Sequence, residues 1–284
     1  MNKVIVIWVV WLGLFIGVGE SQSLGQPPAK GKPASNEHID LNGENLTILE
    51  RPAFLFLPEK SKRTLPQPWI FYAPTLAAYP DEAERWMHTQ FLDAGIAIAG
   101  VDVGEAYGSP KSHEVFNALY TELTEKRSFA KKLCLFGRSR GGLWVSSWAI
   151  ANPERVTGII GIYPVYDFKS YPKLEIAAPA YGLSAKDLDE QSKELNPIEQ
   201  VKRLAAAGIT FTIIHGDQDV VVPLKENSLE LLRRYEAEGR KDLVELIVAK
   251  GQGHSFWEGF FREPKLVEFA IDSAKKGAMP SQNK

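Results

Sequence analysis

At 284 residues the chain has room for one large domain with a sizeable core, and not for two full-sized domains joined by linkers. Hydrophobic residues make up 44% and charged residues 24%, and a net charge of −2 gives no general attraction for polyanions, which sets nucleic acid aside as a partner. The single cysteine, Cys134, rules out an intrachain disulfide, so the core alone must hold the fold.

In chain order, Lys3 is followed by the apolar residues 4–18 and then by Gly19-Glu20-Ser21-Gln22-Ser23, small residues suited to signal-peptidase cleavage. Residues 1–23 therefore read as a signal peptide directing export to the periplasm or the medium. An uncleaved membrane anchor is the alternative, because 15 apolar residues fall only slightly short of the roughly 20 that a membrane span needs. Beyond this segment nothing points to a stable membrane partner. Residues 24–43, with Pro27, Pro28 and Pro33 among polar residues, lack the apolar content to order themselves and read as a flexible linker.

The folded domain is expected over 44–273, followed by a disordered tail from 274 to 284. Within it, short apolar runs predict strands over 53–57, 69–73, 96–101, 132–136, 156–162, 210–215 and 243–249. Amphipathic stretches predict helices over 81–94, 114–126, 142–151, 224–238 and 264–274. This alternation implies an α/β fold whose mostly parallel sheet is covered by helices on both faces. Catalytic groups should then gather at the C-terminal ends of the strands. Over 168–200 the pattern breaks into polar pieces with Pro172, Pro179 and Pro197, long for a simple connection, and is expected to form a small cap insertion.

The stretch Leu133-Cys134-Leu135-Phe136-Gly137-Arg138-Ser139-Arg140-Gly141 ends an apolar run in Gly-x-Ser-x-Gly. A serine on a sharp strand-to-helix turn is strained, and bulky neighbours two residues away would collide with the turn, so glycines flank it. Ser139 is the candidate nucleophile. After the strand over 210–215 comes His215-Gly216-Asp217-Gln218-Asp219, and Pro223 is expected near the first turn of the next helix. Asp219 is the candidate triad acid; Asp217 is its rival, with a hydrogen-bonding role inside the loop as the alternative. His254, in Gly251-Gln252-Gly253-His254 just after the last strand, is the candidate base. His215 reads as structural, His38 falls in the linker, and His88 and His113 read as exposed or packing residues.

The order Ser139, Asp219, His254 is that of the α/β-hydrolase superfamily, which the chain resembles over about 69–269. Within it, His215-Gly216-x-x-Asp219-x-x-Val222-Pro223, the Gly251-x-Gly253-His254 ending and Asp102-Val103-Gly104-Glu105-Ala106-Tyr107-Gly108 resemble the prolyl-oligopeptidase-like and acetyl-xylan-esterase-like branch. The resemblance implies a serine hydrolase acting through an acyl-enzyme; the sequence displays no metal cluster, phosphate loop or Gly-x-Gly-x-x-Gly nicotinamide fingerprint, so no cofactor is implied. Two features depart from it. Peptidases of that branch usually carry a β-propeller, for which the ~25 residues between the linker and the first sheet strands are too few. A His-Gly-Gly-Gly oxyanion motif is also missing, and Pro74-Thr75-Leu76 stands in its place. The expected oxyanion hole is made by the backbone N–H groups of Arg140 and of Thr75 or Leu76.

Arg138 and Arg140 flank the nucleophile, and each has two readings: a contact to substrate, or a structural ion pair with a loop acid such as Glu105 or Asp217. A serine followed by arginine is similar to the elbow of glucuronoyl esterases, where the resemblance implies that the guanidinium assists the oxyanion. Tyr163, Tyr166, Phe256 and Trp257 follow strand ends and are candidates to stack on a sugar face, with core packing as the alternative. The expectation is an exported serine esterase of small or oligosaccharide esters. A peptidase without a propeller and a non-catalytic binding module on a hydrolase scaffold are the competing readings.

Overall fold

The computed structural model describes Leu41, residues 43–76 and residues 79–280. The expected signal peptide and nearly all of the expected linker lie outside the described residues. Among those described, no helix is long and apolar enough to cross a membrane.

Eight strands of the described residues form one sheet: β1 Gly43–Ile48, β2 Arg51–Phe56, β3 Trp69–Ala73, β4 Ala97–Val101, β5 Leu133–Arg138, β6 Val156–Ile162, β7 Phe211–Gly216 and β8 Val244–Ala249. Their order is β1-β2-β4-β3-β5-β6-β7-β8, with antiparallel pairing from β1 through β2 to β4 and parallel pairing from there on. This is the α/β-hydrolase fold, with the nucleophile strand β5 near the middle of the sheet. The sequence pattern located seven of these strands. It missed β1, whose residues are mostly exposed and so lack the apolar run that betrays a strand.

The helices are α1 Arg85–Asp93, α2 Lys111–Thr121, α3 Gly141–Ala151, α4 Leu174–Tyr181, α5 Ala185–Glu190, α6 Ser192–Leu195, α7 Val201–Ala206, α8 Ser228–Ala237, α9 Glu258–Phe261 and α10 Pro264–Ala278. The period-2 geometry of the strands divides their side chains between two cores. Trp69 and Phe71 of β3 and Leu133 and Leu135 of β5 pack with Phe116 of α2, Trp144 and Trp148 of α3 and Leu231 of α8. Ile70, Tyr72, Cys134 and Phe136 face the opposite way, against Met87 and Phe91 of α1 and Leu266 and Ala270 of α10. Cys134 is thus a small core residue, and burial pushes its thiol pKa upward.

Three details depart from the sequence pattern. Helix α10 runs to Ala278, past the start of the tail expected at 274. The polar pieces over 168–200 fold into α4, α5 and α6, because Ala177, Ala178, Tyr181 and Leu188 supply a buried face that the short, proline-broken pattern concealed. The helix expected from 224 begins at Ser228 instead. The residues before it are held in turns by Asn227, which is fully buried. Its Oδ1 accepts from the N–H groups of Tyr166 (2.9 Å) and Asp167 (3.2 Å), while Nδ2 donates to Pro223 O (3.0 Å) and Ser170 Oγ (2.9 Å).

Asn227 therefore ties the exit of β6 to the loop that follows β7. Replacing it with alanine orphans two backbone N–H groups, at a cost of about 1–3 kcal/mol for each one left buried and unsatisfied. Asn227→Ala is expected to lower the stability by at least ~2 kcal/mol, measured by urea unfolding.

Candidate active site

Strand β5 runs directly into the turn that carries Ser139, whose φ is +50°. This strained conformation is held by close packing around the flanking glycines. A Cβ on Gly137 would lie 2.8 Å from Gly142 Cα, and one on Gly141 would lie 2.1 Å from Ala73 O. Helix α3 and the end of β3 thus press against the turn from two sides. The Ser139 N–H donates to Ile162 O at 2.9 Å, and Ser139 O accepts from the N–H groups of Gly142 (3.0 Å) and Val165 (2.8 Å).

Ser139 Oγ lies 3.0 Å from His254 Nε2, and His254 Nδ1 lies 2.7 Å from Asp219 Oδ2. The three residues sit at the C-terminal ends of β5, β7 and β8. Asp219 Oδ1 is occupied by the N–H groups of Val221 (2.9 Å) and Val222 (2.8 Å), which leaves Oδ2 for the histidine. Burial opposes charge on Asp219, but hydrogen bonds from His215, His254 and the Val222 N–H outweigh it and hold the carboxyl below its usual range. As a carboxylate it fixes the Nδ1–H tautomer of His254 and leaves Nε2 free to accept the serine proton.

His215 is the structural histidine that its position suggested. Its Nε2 lies 2.8 Å from Val222 O, which can only accept, so Nε2 carries a proton; Nδ1 faces Ser228 Oγ at 2.8 Å. Nε2 is also 3.5 Å from Asp219 Oδ2 and steadies the acid from behind. Asp217 does not reach the triad. It accepts from the Gly251 N–H at 2.7 Å and pairs with Lys250 at 3.4 Å, bracing the loop that carries His254.

The two arginines separate. Arg138 is 3% exposed and lies in the floor of the catalytic cavity, with its Nε and Nη1 taken up by protein partners. Its partners are neither Glu105 nor Asp217: Nη1 donates to Asp81 Oδ2 (2.9 Å) and Glu84 Oε2 (2.8 Å), and Nε donates to Tyr163 OH (3.2 Å). Asp81 and Glu84 form a capping box at the helical turn before α1, a short-range Asp-x-x-Glu signal that the sequence displays. Arg140 pairs with Glu105, Nε to Oε2 at 2.9 Å, without an aligned hydrogen bond, and its guanidinium lies 5.6 Å from the Tyr79 ring centroid.

Tyr163 is 2% exposed and has φ +36°. Its ring centroid is 4.2 Å from that of His254, so it supports the catalytic ring from the cavity's lining. Tyr166 is buried against Phe211 and is excluded from substrate contact. Trp257 packs edge-on against Phe260 outside the catalytic cavity, where Phe256 takes the place on the wall. That cavity, of about 220 Å³, is lined beside Ser139 and His254 by Pro74, Tyr79, Arg138, Arg140, Tyr163, Tyr171 and Val221. Tyr79, Tyr171 and Val221 carry no motif, and only the fold brings them together.

Thr75 turns its side chain inward, Oγ1 donating to Tyr72 O at 3.2 Å, so its contribution at the elbow is restricted to backbone. The Arg140 N–H precedes the first bonds of α3, which run from Gly142 to Ser139 and from Leu143 to Arg140. His88 lies at 0% exposure among Phe56, Tyr72, Phe91 and Phe136 and is a packing residue; burial lowers its pKa to about 3. His113 is a buried-side residue of α2, 2.9 Å from Ser147 Oγ.

Residues 105–272, more than half of the chain, match the prolyl oligopeptidase family. The chain belongs to that family, a family of serine hydrolases. No curated protein matches the sequence. Among solved structures, the fold of this family member is similar to an acylaminoacyl peptidase from Pyrococcus horikoshii, with a TM-score of 0.63 and 15% identity over 85% of this chain and 42% of that one. A puromycin-hydrolysing peptidase from Mycobacterium tuberculosis gives 0.61 and 15%, covering 82% of this chain and 40% of that one. Est1E from Butyrivibrio proteoclasticus gives 0.59 and 14%, covering 82% of this chain and 99% of that one. The chain thus spans about two fifths of the length of the two peptidases.

Two tests follow from the charges. Asp219 has a folded pKa below its unfolded value, so its carboxylate stabilises the fold above the unfolded pKa near 4, and that gain is lost as the pH falls. The difference in Tm between the native protein and Asp219→Asn is expected to be flat above about pH 5 and to shrink below it. Arg138→Met leaves two buried carboxylates without their cation and is expected to destabilise by about 3–5 kcal/mol in chemical denaturation.

Proposed function

We propose that this member of the prolyl oligopeptidase family is an exported serine esterase that cleaves small or carbohydrate-linked carboxylic esters through an acyl-enzyme. The observation that carries the reading is the unbroken relay from Ser139 Oγ through His254 to Asp219, at 3.0 and 2.7 Å. His254 Nε2 takes the Ser139 proton as Oγ attacks the acyl carbon, and the imidazolium is stabilised by the Asp219 carboxylate. His254 then returns the proton to the leaving alcohol, and water resolves the acyl-enzyme by the same route.

The developing oxyanion is assigned to the backbone N–H groups of Arg140 and Thr75. Gly141 lies against Ala73 O and Pro74 N, and proline has no N–H, so Thr75 supplies the next donor along that strand end. Support for an ester comes from the modest size of the catalytic cavity and its open wall of Phe256 and Val221, which are 62% and 46% exposed. Arg140 at the same rim suits a carboxylate-bearing acyl or sugar group, for which it would exchange its half-exposed partner Glu105. Export rests on the apolar segment 4–18. Peptide cleavage is the second reading, favoured by the family itself and by the peptidases among the structural neighbours.

The native protein is expected to hydrolyse p-nitrophenyl acetate, and Ser139→Ala to abolish turnover; activity that survives this change would overturn the reading. Asp219→Asn should lower kcat by about 10⁴-fold through the wrong histidine tautomer. A panel of acetylated, feruloylated and uronoyl-ester sugars beside prolyl and unblocked peptides separates the two readings. Turnover confined to the peptides would establish the second.

A further inference from the structure

The catalytic cavity, at about 220 Å³, is smaller than the roughly 300–1,000 Å³ of most small-molecule sites. It has room for the reacting carbonyl and a compact acyl group, so a larger substrate must continue beyond it. One wall of the cavity, Phe256, is also a wall of a second cavity of about 440 Å³. The second cavity is lined chiefly by Glu82, Arg85, Trp86, Glu258 and Arg262. It is formed by the turn before α1, by α1 itself and by α9.

Phe256 is the partition between the two. It is 62% exposed, yet its ring does not hang free in solvent. The Arg138 guanidinium lies 5.2 Å from its centroid, and Phe261 stacks on it at 6.3 Å with an interplanar angle of 20°. A ring fixed by a buried cation and a buried aromatic, and still open to two adjoining cavities, is a stacking surface made rigid in advance. Trp86 adds a second large aromatic, half-buried on α1.

The charges around the second cavity cancel locally. Arg85 Nε bonds Glu82 at 2.7 and 2.9 Å, and Arg262 Nη2 lies 2.8 Å from Glu258 Oε1. Two cations facing two carboxylates leave no net charge to attract a peptide terminus or a charged side chain. They do leave outward carboxylate lone pairs and N–H groups of Arg262, which suit a neutral ligand rich in hydroxyls. Aromatic faces beside planar, mutually neutralised polar groups match the two sides of a sugar ring, one of C–H groups and one of hydroxyls.

We propose that this second cavity is a saccharide subsite, which seats the neutral sugar of a carbohydrate-linked ester across Phe256 and Trp86 while its acyl group reaches Ser139. The proposal rests on the ester reading above and extends it to a site for the alcohol side of the substrate. The hydroxyl-rich chain lies over Phe256, and Glu82, Glu258 and Arg262 hydrogen-bond to its rim.

The test compares the native protein with Trp86→Ala and with Arg262→Ala. Arg262 is exposed and its pair is a surface i,i+4 pair, so its loss leaves the fold standing even where loss of Trp86 does not. The ratio of kcat/KM for acetylated xylotetraose to kcat/KM for p-nitrophenyl acetate is expected to fall about tenfold in each folded variant, equivalent to about 1.4 kcal/mol. An unchanged ratio in both variants overturns the subsite. Binding is read separately by calorimetry in a Ser139→Ala background, with unesterified xylotetraose and a blocked tetra-alanine peptide as probes. Binding of the saccharide that weakens with Arg262→Ala supports the subsite even if the native protein turns over no ester, a result that would sink the esterase reading alone. Absence of saccharide binding, or peptide binding that depends on Arg262, overturns the saccharide proposal.

Discussion

A buried guanidinium organises the site. Arg138, the last residue of β5, joins the nucleophile strand to two carboxylates from the turn before α1 and to a tyrosine after β6. Removing a cation and two carboxylates from water costs several kcal/mol per ion unless their hydrogen-bonding capacity is largely filled. Here much of it is. Glu84 Oε2 also accepts from Tyr72 OH (2.9 Å) and the Asp81 N–H (3.1 Å), and Asp81 Oδ1 accepts from the Ala83 N–H (3.0 Å). Burial raises the pKa of Asp81 while Arg138 opposes the rise, the balance expected where two acids share one cation. Segments from three separate stretches of the chain are thereby held at the base of one turn.

The influence of that cation reaches the relay and the rim. Tyr163, hydrogen-bonded to Arg138, supports the His254 ring at 4.2 Å, and Phe256, two residues after His254, lies over the same guanidinium. The loop carrying the base is thus fixed on both sides of the ring that must move a proton. Asp219 has its own support, with two backbone N–H groups on Oδ1 and His215 behind Oδ2. Orientation of a catalytic group matters because a misplacement of about 1 Å can cost 10²-fold in rate. The investment of buried polar groups around this relay is consistent with that demand.

The chain order of Ser139, Asp219 and His254 was readable because each consequence of the chemistry is local. A strained turn needs glycines, and the acid and base each follow an apolar strand. The parallel strands were readable for a related reason, since a sheet covered on both faces makes each strand a continuous apolar run. Strand β1 was not, because an exposed edge strand has no such run, and the α4–α6 segment was not, because its buried face is spread over short helices. The partners of Arg138 are hidden from the sequence for another reason. Glu105 and Asp217 are near the site by strand order, whereas Asp81 and Glu84 arrive from the far side of the sheet, through the packing of α1. Tyr166 likewise follows a strand end, but sequence adjacency to the sheet edge does not say that the chain turns it into the core beside Phe211.

The same separation explains how two arginines, one residue either side of the nucleophile, come to do different work. Arg138 ends beneath the cavity, its side chain 4% exposed, with Asp81 and Glu84 held against it in a buried setting. Arg140 ends at the cavity mouth, its side chain 19% exposed and that of Glu105 44% exposed, a setting in which an ion pair contributes about 0–1 kcal/mol. A pair that weak, without an aligned hydrogen bond, is easily exchanged for another acceptor. Breaking the buried pair would strand two carboxylates, so Arg138 is tied to the fold, whereas the Arg140 pair is open to exchange. What sets the strength of each pair is therefore not the residue type, nor the motif, but the dielectric surroundings of the carboxylate that each guanidinium meets.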